Sequence, residues 1–212
     1  MLIRFVRHFL LAIQFFTRIP ITGRLAEWVG YSPTMLRNSA AYFPAVGWIV
    51  GAFSATVFAV FVDILPALPA TPWVAAVLST AFSILLTGAF HEDGLADTAD
   101  GLGGGLTREQ VLEIMKDSRI GTYGSAALLL AMLGKLSLLV LLYQIDLAWS
   151  VVGLFAAHVT SRLMPLFLIR GMVHVGDTHQ SKSKPLADAI KISTLLVGIL
   201  WWAAAIMLTA YF

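Results

Sequence analysis

Long apolar runs separated by short polar connections set the frame of this chain: 39–62, 68–90, 124–145, 147–169 and 192–212. Each holds roughly the 20 residues that a bilayer-crossing helix needs, so the pattern predicts about five transmembrane helices. Ahead of them, Phe9-Leu10-Leu11-Ala12-Ile13 follows Arg4 and Arg7 in the manner of a signal peptide. Gln14, Thr17 and Arg18 interrupt the run and no small-residue cleavage site follows, so it reads as an amphipathic or re-entrant surface segment. Pro20, Gly23, Gly30 and Pro33 break any long helix there. Between the second and third spans, Thr107 is placed as an N-cap with Gln110 at the capping-box position. The helix it opens, through Val111, Leu112, Ile114 and Met115, is amphipathic and too short to span, which predicts a place at the interface.

Composition turns this pattern into a class. Of 212 residues, 58% are apolar and 12% charged, with a mean hydropathy of +0.84. The expectation is an all-α polytopic integral membrane protein, a single membrane-embedded domain over 1–212, with amphipathic helices at the N-terminus and in the loop. The absence of cysteine excludes disulfides and thiolate metal sites.

Charge then orients the spans. Twelve of the fourteen Lys and Arg fall in three regions: the N-terminal segment (Arg4, Arg7, Arg18, Arg24, Arg37), the 91–123 loop (Arg108, Lys116, Arg119) and residues 170–191 (Arg170, Lys182, Lys184, Lys191). The alternate connections, near 63–72 and at Asp146, carry none. By the positive-inside rule the N-terminus and both polar loops are cytoplasmic, in a bacterial inner membrane. The net charge of +2 is asymmetric along the chain rather than clustered as for nucleic acid, which is excluded as a partner.

The candidate chemistry sits where the second span ends. His91-Glu92-Asp93-Gly94-Leu95-Ala96-Asp97-Thr98-Ala99-Asp100-Gly101 gathers four carboxylates and a histidine, before Gly103-Gly104-Gly105. If the incoming helix continues through Asp100, then Asp93, Asp97 and Asp100 stand at i, i+4 and i+7 on one face. Like charges so placed repel, unless a divalent cation lies between them. An all-oxygen set suits a hard ion, Mg²⁺ or Mn²⁺; the bland alternative is a solvated acidic helix end. Asp117 is a candidate fourth ligand, and Lys116 and Arg119 are candidates for holding phosphate oxygens.

Two charges, Lys135 and Arg162, fall inside predicted spans and call for a polar cavity or an acidic partner, although snorkelling explains them too. His158 shares the face of Arg162 one turn away and is placed to line the same cavity. Lys182 and Lys184, alternating with Ser181 and Ser183, suit a polyanion or simply set orientation. No phosphate-binding glycine loop with its lysine, nucleophile-elbow serine or zinc-spaced histidine pair is present. The combination suggests metal-assisted phosphoryl transfer, in which two metals about 4 Å apart bridge a diphosphate.

Asp93-Gly94 with later aspartates at helical spacing looks distantly like the acidic signature of CDP-alcohol phosphotransferases. It departs from that signature, because Asp97 stands near where an Ala-Arg pair is expected and the aspartate spacing is shorter. A much closer likeness lies elsewhere. Residues 91–101, together with Leu112-Glu113-Ile114-Met115-Lys116-Asp117-Ser118-Arg119-Ile120-Gly121-Thr122-Tyr123-Gly124, resemble the cobalamin synthase (adenosylcobinamide-GDP ribazoletransferase) family. Phe16-Thr17-Arg18-Ile19-Pro20 and Phe43-Pro44-Ala45-Val46-Gly47 look like its N-terminal landmarks, with the Lys182 to Leu186 run a weaker one.

That resemblance implies a Mg²⁺-dependent reaction. A ribose hydroxyl of α-ribazole, or of its 5′-phosphate, attacks the cobinamide-linked phosphate of adenosylcobinamide-GDP, releasing GMP and forming adenosylcobalamin or its 5′-phosphate. In that frame Asp93, Asp97, Asp100 and Asp117 are expected to hold metal, and an unligated Asp100 to act as general base. His91 and Glu92 are expected to orient, and Lys116, Arg119, Arg162, Lys182 and Lys184 to contact phosphates. The expected partners are the two substrates and the lipid bilayer, with a homo-oligomer left open. Members of that family continue with a further apolar segment and a Thr-Gly-Asp turn, whereas this sequence stops at Phe212, implying a truncated or shortened member. The rival readings are a cation transporter using the acidic cluster as an ion site, and a noncatalytic membrane scaffold. A transporter site belongs near the bilayer midplane, whereas these carboxylates collect at the boundary.

Overall fold

A computed structural model describes residues 2–174, 186 and 190–211, and within them the chain is helical without a strand. In order these are α1 (Leu2–Phe16), α2 (Gly23–Val29), α3 (Pro33–Ser39), a 3₁₀ turn (Ala40–Tyr42), α4 (Phe43–Ile64) and α5 (Thr71–Thr87). Next come α6 (Phe90–Gly104), α7 (Arg108–Ile114), α8 (Thr122–Ile145), α9 (Leu147–Gly171) and α10 (Ile192–Thr209). Four segments are long and apolar enough to cross a membrane: Pro33–Ile64, α8, α9 and α10. The pair α5 and α6 makes a fifth if counted as one broken span.

The break in that pair corrects the expectation of one helix running through Asp100. The chain turns by 89° between α5 and α6, because Gly88 (φ 66°) and Ala89 (φ 59°) both adopt the left-handed conformation. Glycine enters that region freely, but alanine does so at a cost, so surrounding contacts must hold the elbow. They come from the N-terminal segment. The Arg18 backbone N–H donates to the Leu86 carbonyl at 2.7 Å, and the Arg18 guanidinium lies where a side chain on Gly88 would have to go. α6 is therefore a separate helix running across the end of α5, and its own periodicity keeps Asp93, Asp97 and Asp100 in phase.

The expected breaks at the N-terminus are present. α1 buries Leu11, Ala12, Ile13 and Phe16 and leaves Leu2 and Ile3 exposed, as an amphipathic surface helix does. Ser32 caps α3, accepting from the Met35 N–H at 3.1 Å, with Pro33 at its first position. α7 opens with the full Thr107/Gln110 capping box.

α4 and α9 pack backbone against backbone. A Cβ on Gly47 would meet the His158 carbonyl oxygen at 2.6 Å, and one on Gly51 the Phe155 Cα at 3.1 Å. Small residues four apart let two helix backbones touch where lipid supplies no hydrophobic drive between helices. Polar ties add to this: Ser79 Oγ donates to the Ser54 carbonyl (2.7 Å), Ser150 Oγ to the Leu139 carbonyl (2.9 Å) and Trp202 Nε1 to Thr160 Oγ1 (3.0 Å). α1, the start of α6 and the C-terminal part of α9 meet at one place. There Phe15, Phe16, Phe43 and Phe90 pack edge to face around His91.

Candidate active site

α6 presents its aspartates on a gradient of burial: Asp93 is exposed, Asp97 half-buried and Asp100 buried. The cause is α8, whose N-terminal turn docks on the far half of the helix. Asp100 Oδ2 accepts the backbone N–H of Gly121 at 2.7 Å, and Oδ1 that of Gly124 at 2.8 Å. These are unpaired donors of the first turn of α8, so a carboxylate there gains charge-assisted bonds and the helix dipole together. Side chains at either glycine would run into this carboxylate. Both oxygens of Asp100 are thus engaged by backbone N–H groups of α8.

Asp93 and Asp97, with Glu92, line a cavity of about 210 Å³ shared with Ser118 and Arg119. Arg119 also reaches Asp117, from Nη2 to Oδ2 at 2.6 Å and from Nε to both oxygens at 3.0 Å. That fork holds the Asp117 carboxyl well below the usual range, at about 2, and raises Arg119 in return. Asp117 is therefore paired with Arg119, its neighbour on the 115–121 loop. Lys116 follows α7 on the same loop and is exposed.

On its chemistry the donor set of Asp93, Asp97 and Glu92 fits a hard divalent cation, being all oxygen on adjoining turns. Among the described residues, however, no group of three or more acidic or histidine side chains is already gathered as a ligand cage. Lys182 and Lys184 lie outside the described residues.

On the other side of the first turn of α6 is a larger cavity, of about 540 Å³, bounded by α5, α6, α8 and α9. His91, Glu92, Lys135, His158 and Arg162 all line it, beside Leu138, Leu139 and Leu142. The polar cavity expected around the two intramembrane cations thus exists, and its acidic member is Glu92, within electrostatic reach of both. Arg162 Nη1 is held by His158 Nδ1 (3.0 Å), the His158 carbonyl (3.2 Å) and Ser161 Oγ (3.1 Å). Glu92 Oε2, His158 Nε2 and Arg162 Nε are buried without a hydrogen-bond partner among the described residues. His91 stacks on Phe16 with ring centroids 5.9 Å apart, facing Arg162 rather than the aspartates. The sequence flagged these charges singly; their convergence through Glu92 crosses three helices and has no local signal.

The sequence model of the cobalamin-5-phosphate synthase family matches residues 8–212. The chain belongs to that family. A relative from Albidiferax ferrireducens, named adenosylcobinamide-GDP ribazoletransferase, is 56% identical over 205 residues, covering 97% of this chain and 73% of its own. Relatives of the same name from a Polaromonas species and from Vibrio parahaemolyticus are 55% and 46% identical, covering 93% of this chain and 75% and 70% of theirs. No solved structure matches. The membership makes this a membrane-embedded transferase of cobalamin biosynthesis, and it bears out the family resemblance carried by residues 14–124.

Proposed function

We propose that the chain is a Mg²⁺-dependent adenosylcobinamide-GDP ribazoletransferase that works at the cytoplasmic face of a bacterial inner membrane. The observation that carries this reading is the shared placement of Glu92, Asp93, Asp97, Ser118 and Arg119 around one small cavity, on the two segments that most resemble the family. The positive-inside distribution of Lys and Arg supports the cytoplasmic placement.

In this reading a ribose hydroxyl oxygen of the acceptor attacks the phosphorus attached to cobinamide. The bond from that phosphorus to the bridging oxygen breaks, GMP leaves with the bridging oxygen, and the hydroxyl proton passes to a base or to solvent. Asp93 and Asp97 would hold the cation, which when bound would supply neutralisation of the diphosphate charge. Arg119, released from Asp117 or shared with it, binds a phosphate oxygen in the same fork geometry. Asp100 positions: by pinning the first turn of α8 it fixes the loop from 115 to 121, and with it Ser118 and Arg119, against α6. The proton acceptor comes from the exposed side of the acidic face, where Asp93 and Glu92 are the nearest carboxylates.

The test is GMP release from adenosylcobinamide-GDP by the purified protein in lipid. Release that requires both a ribazole acceptor and Mg²⁺ supports the reading. Release without acceptor would make the protein a hydrolase, and no release would remove the proposed activity.

A further inference from the structure

The large cavity is not explained by the acidic site, although Glu92 borders both. Its volume of about 540 Å³ falls in the range that encloses one small organic ligand. It is far too small for a corrinoid carrying a guanosine diphosphate. One wall is aliphatic, from Leu138, Leu139, Leu142 and Leu154. The polar part of the lining carries, among the described residues, two cations, Lys135 and Arg162, against one carboxylate, Glu92. An excess cation in an apolar, membrane-depth cavity is costly unless a further anion joins it. The unpartnered, buried His158 Nε2 and Arg162 Nε add polar atoms that a ligand would satisfy.

We propose that this cavity is the binding site of the acceptor nucleotide, with its flat aromatic base against the leucines and its phosphate monoester between Lys135 and Arg162. The inference rests on the transferase reading for the identity of the nucleotide. It places the acceptor on the α8/α9 side of Glu92 and the diphosphate on the Asp93/Asp97 side, so that the two substrates meet across the first turn of α6. A phosphate monoester meets the cation excess, whereas the unphosphorylated nucleoside leaves it unbalanced. The cavity therefore selects the phosphorylated acceptor.

The experiment uses the full chain in phosphatidylcholine nanodiscs, and measures KM separately for α-ribazole 5′-phosphate, α-ribazole and adenosylcobinamide-GDP. Replacing Lys135 by Gln should raise KM for the phosphorylated acceptor by about tenfold, the scale of one charged hydrogen bond. KM for α-ribazole and for the corrinoid should stay within about twofold, and Lys135→Arg should restore most of the loss. Leu142→Trp, which fills the apolar wall, should raise KM for both acceptors alike and leave the corrinoid untouched. Equilibrium binding of α-ribazole 5′-phosphate without the corrinoid should weaken in Lys135→Gln in parallel with KM.

An unchanged KM for the phosphorylated acceptor in Lys135→Gln, or a rise confined to the corrinoid, overturns the assignment. So does a co-purifying lipid that Lys135→Gln releases without affecting acceptor binding, which would make a lipid phosphate the occupant. Saturable, Lys135-dependent binding with no GMP release would instead sink the transferase reading and leave the site standing.

Discussion

Asp100 and Gly124 are joined by a 2.8 Å hydrogen bond from the glycine N–H to Oδ1, and the glycine has no room for a side chain against that carboxylate. The pair fastens the end of the acidic helix to the start of a membrane span. It separates Asp100, a buried anchor, from Asp93 and Asp97, which face the small cavity.

Replacing Asp100 by Asn should therefore cost stability as well as activity. The amide keeps one acceptor but turns its NH₂ towards a backbone N–H, at about 2–4 kcal/mol for a buried charged hydrogen-bond group. Thermal unfolding in detergent should show a lowered midpoint for Asp100→Asn and none for Asp93→Asn, whose side chain is exposed. Equal midpoints for the two variants would remove the anchor.

Gly124→Ala should act on the same joint from the other side, overpacking it by roughly 1–3 kcal/mol. Because the added methyl displaces the carboxylate rather than discharging it, the double variant with Asp100→Ala should be less destabilised than the sum of the two single variants. Simple additivity in that cycle would mean the two residues do not share the contact.

Gly47→Leu should push α9 away from α4, since even a Cβ there meets the His158 carbonyl. The expected loss is about 1–3 kcal/mol, together with weaker acceptor binding, because His158 and Arg162 ride on the displaced segment. A variant as stable as the parent, with unaltered KM for the acceptor, would show that the close approach is dispensable.

The Asp117–Arg119 pair sets a pH expectation. Its carboxyl lies at about 2, below the ordinary 3.8, mainly through the side-chain hydrogen bond from Arg119. A depressed folded-state value means that whatever the pair contributes is present above about pH 4 and fades only as pH falls through about 2. The acidic limb of a pH–rate profile between 4 and 7 should then be the same in wild type and Asp117→Asn. A limb that disappears in the variant would show that Asp117 titrates in the working range.

Much of this was legible in the chain and some was not, for reasons that particular residues make plain. The apolar runs gave the spans because bilayer thickness fixes helix length, and Thr107/Gln110 gave the start of α7 because a capping box is local. The elbow at Gly88–Ala89 was hidden in part: Gly88 is an ordinary helix stop, but alanine is the strongest helix former, and its left-handed conformation is held by packing of the Arg18 segment that no local pattern announces. The phase of Asp93, Asp97 and Asp100 could be counted from sequence. Which of them is buried depends on the docking of Gly121 and Gly124, about twenty residues away. Lys135 and Arg162 announced a cavity as intramembrane charges, but their common carboxylate, Glu92, comes from another helix.

The role of the acidic face is tested by the Mg²⁺ dependence of acceptor-dependent GMP release in wild type, Asp93→Asn and Asp97→Asn, with thermal midpoints recorded alongside. Folding should be unchanged, with release lost or shifted to at least about tenfold higher Mg²⁺ in both variants, the least that losing even a supporting partner of a metal site costs. Turnover at wild-type rates and wild-type Mg²⁺ requirement in either variant would contradict that role.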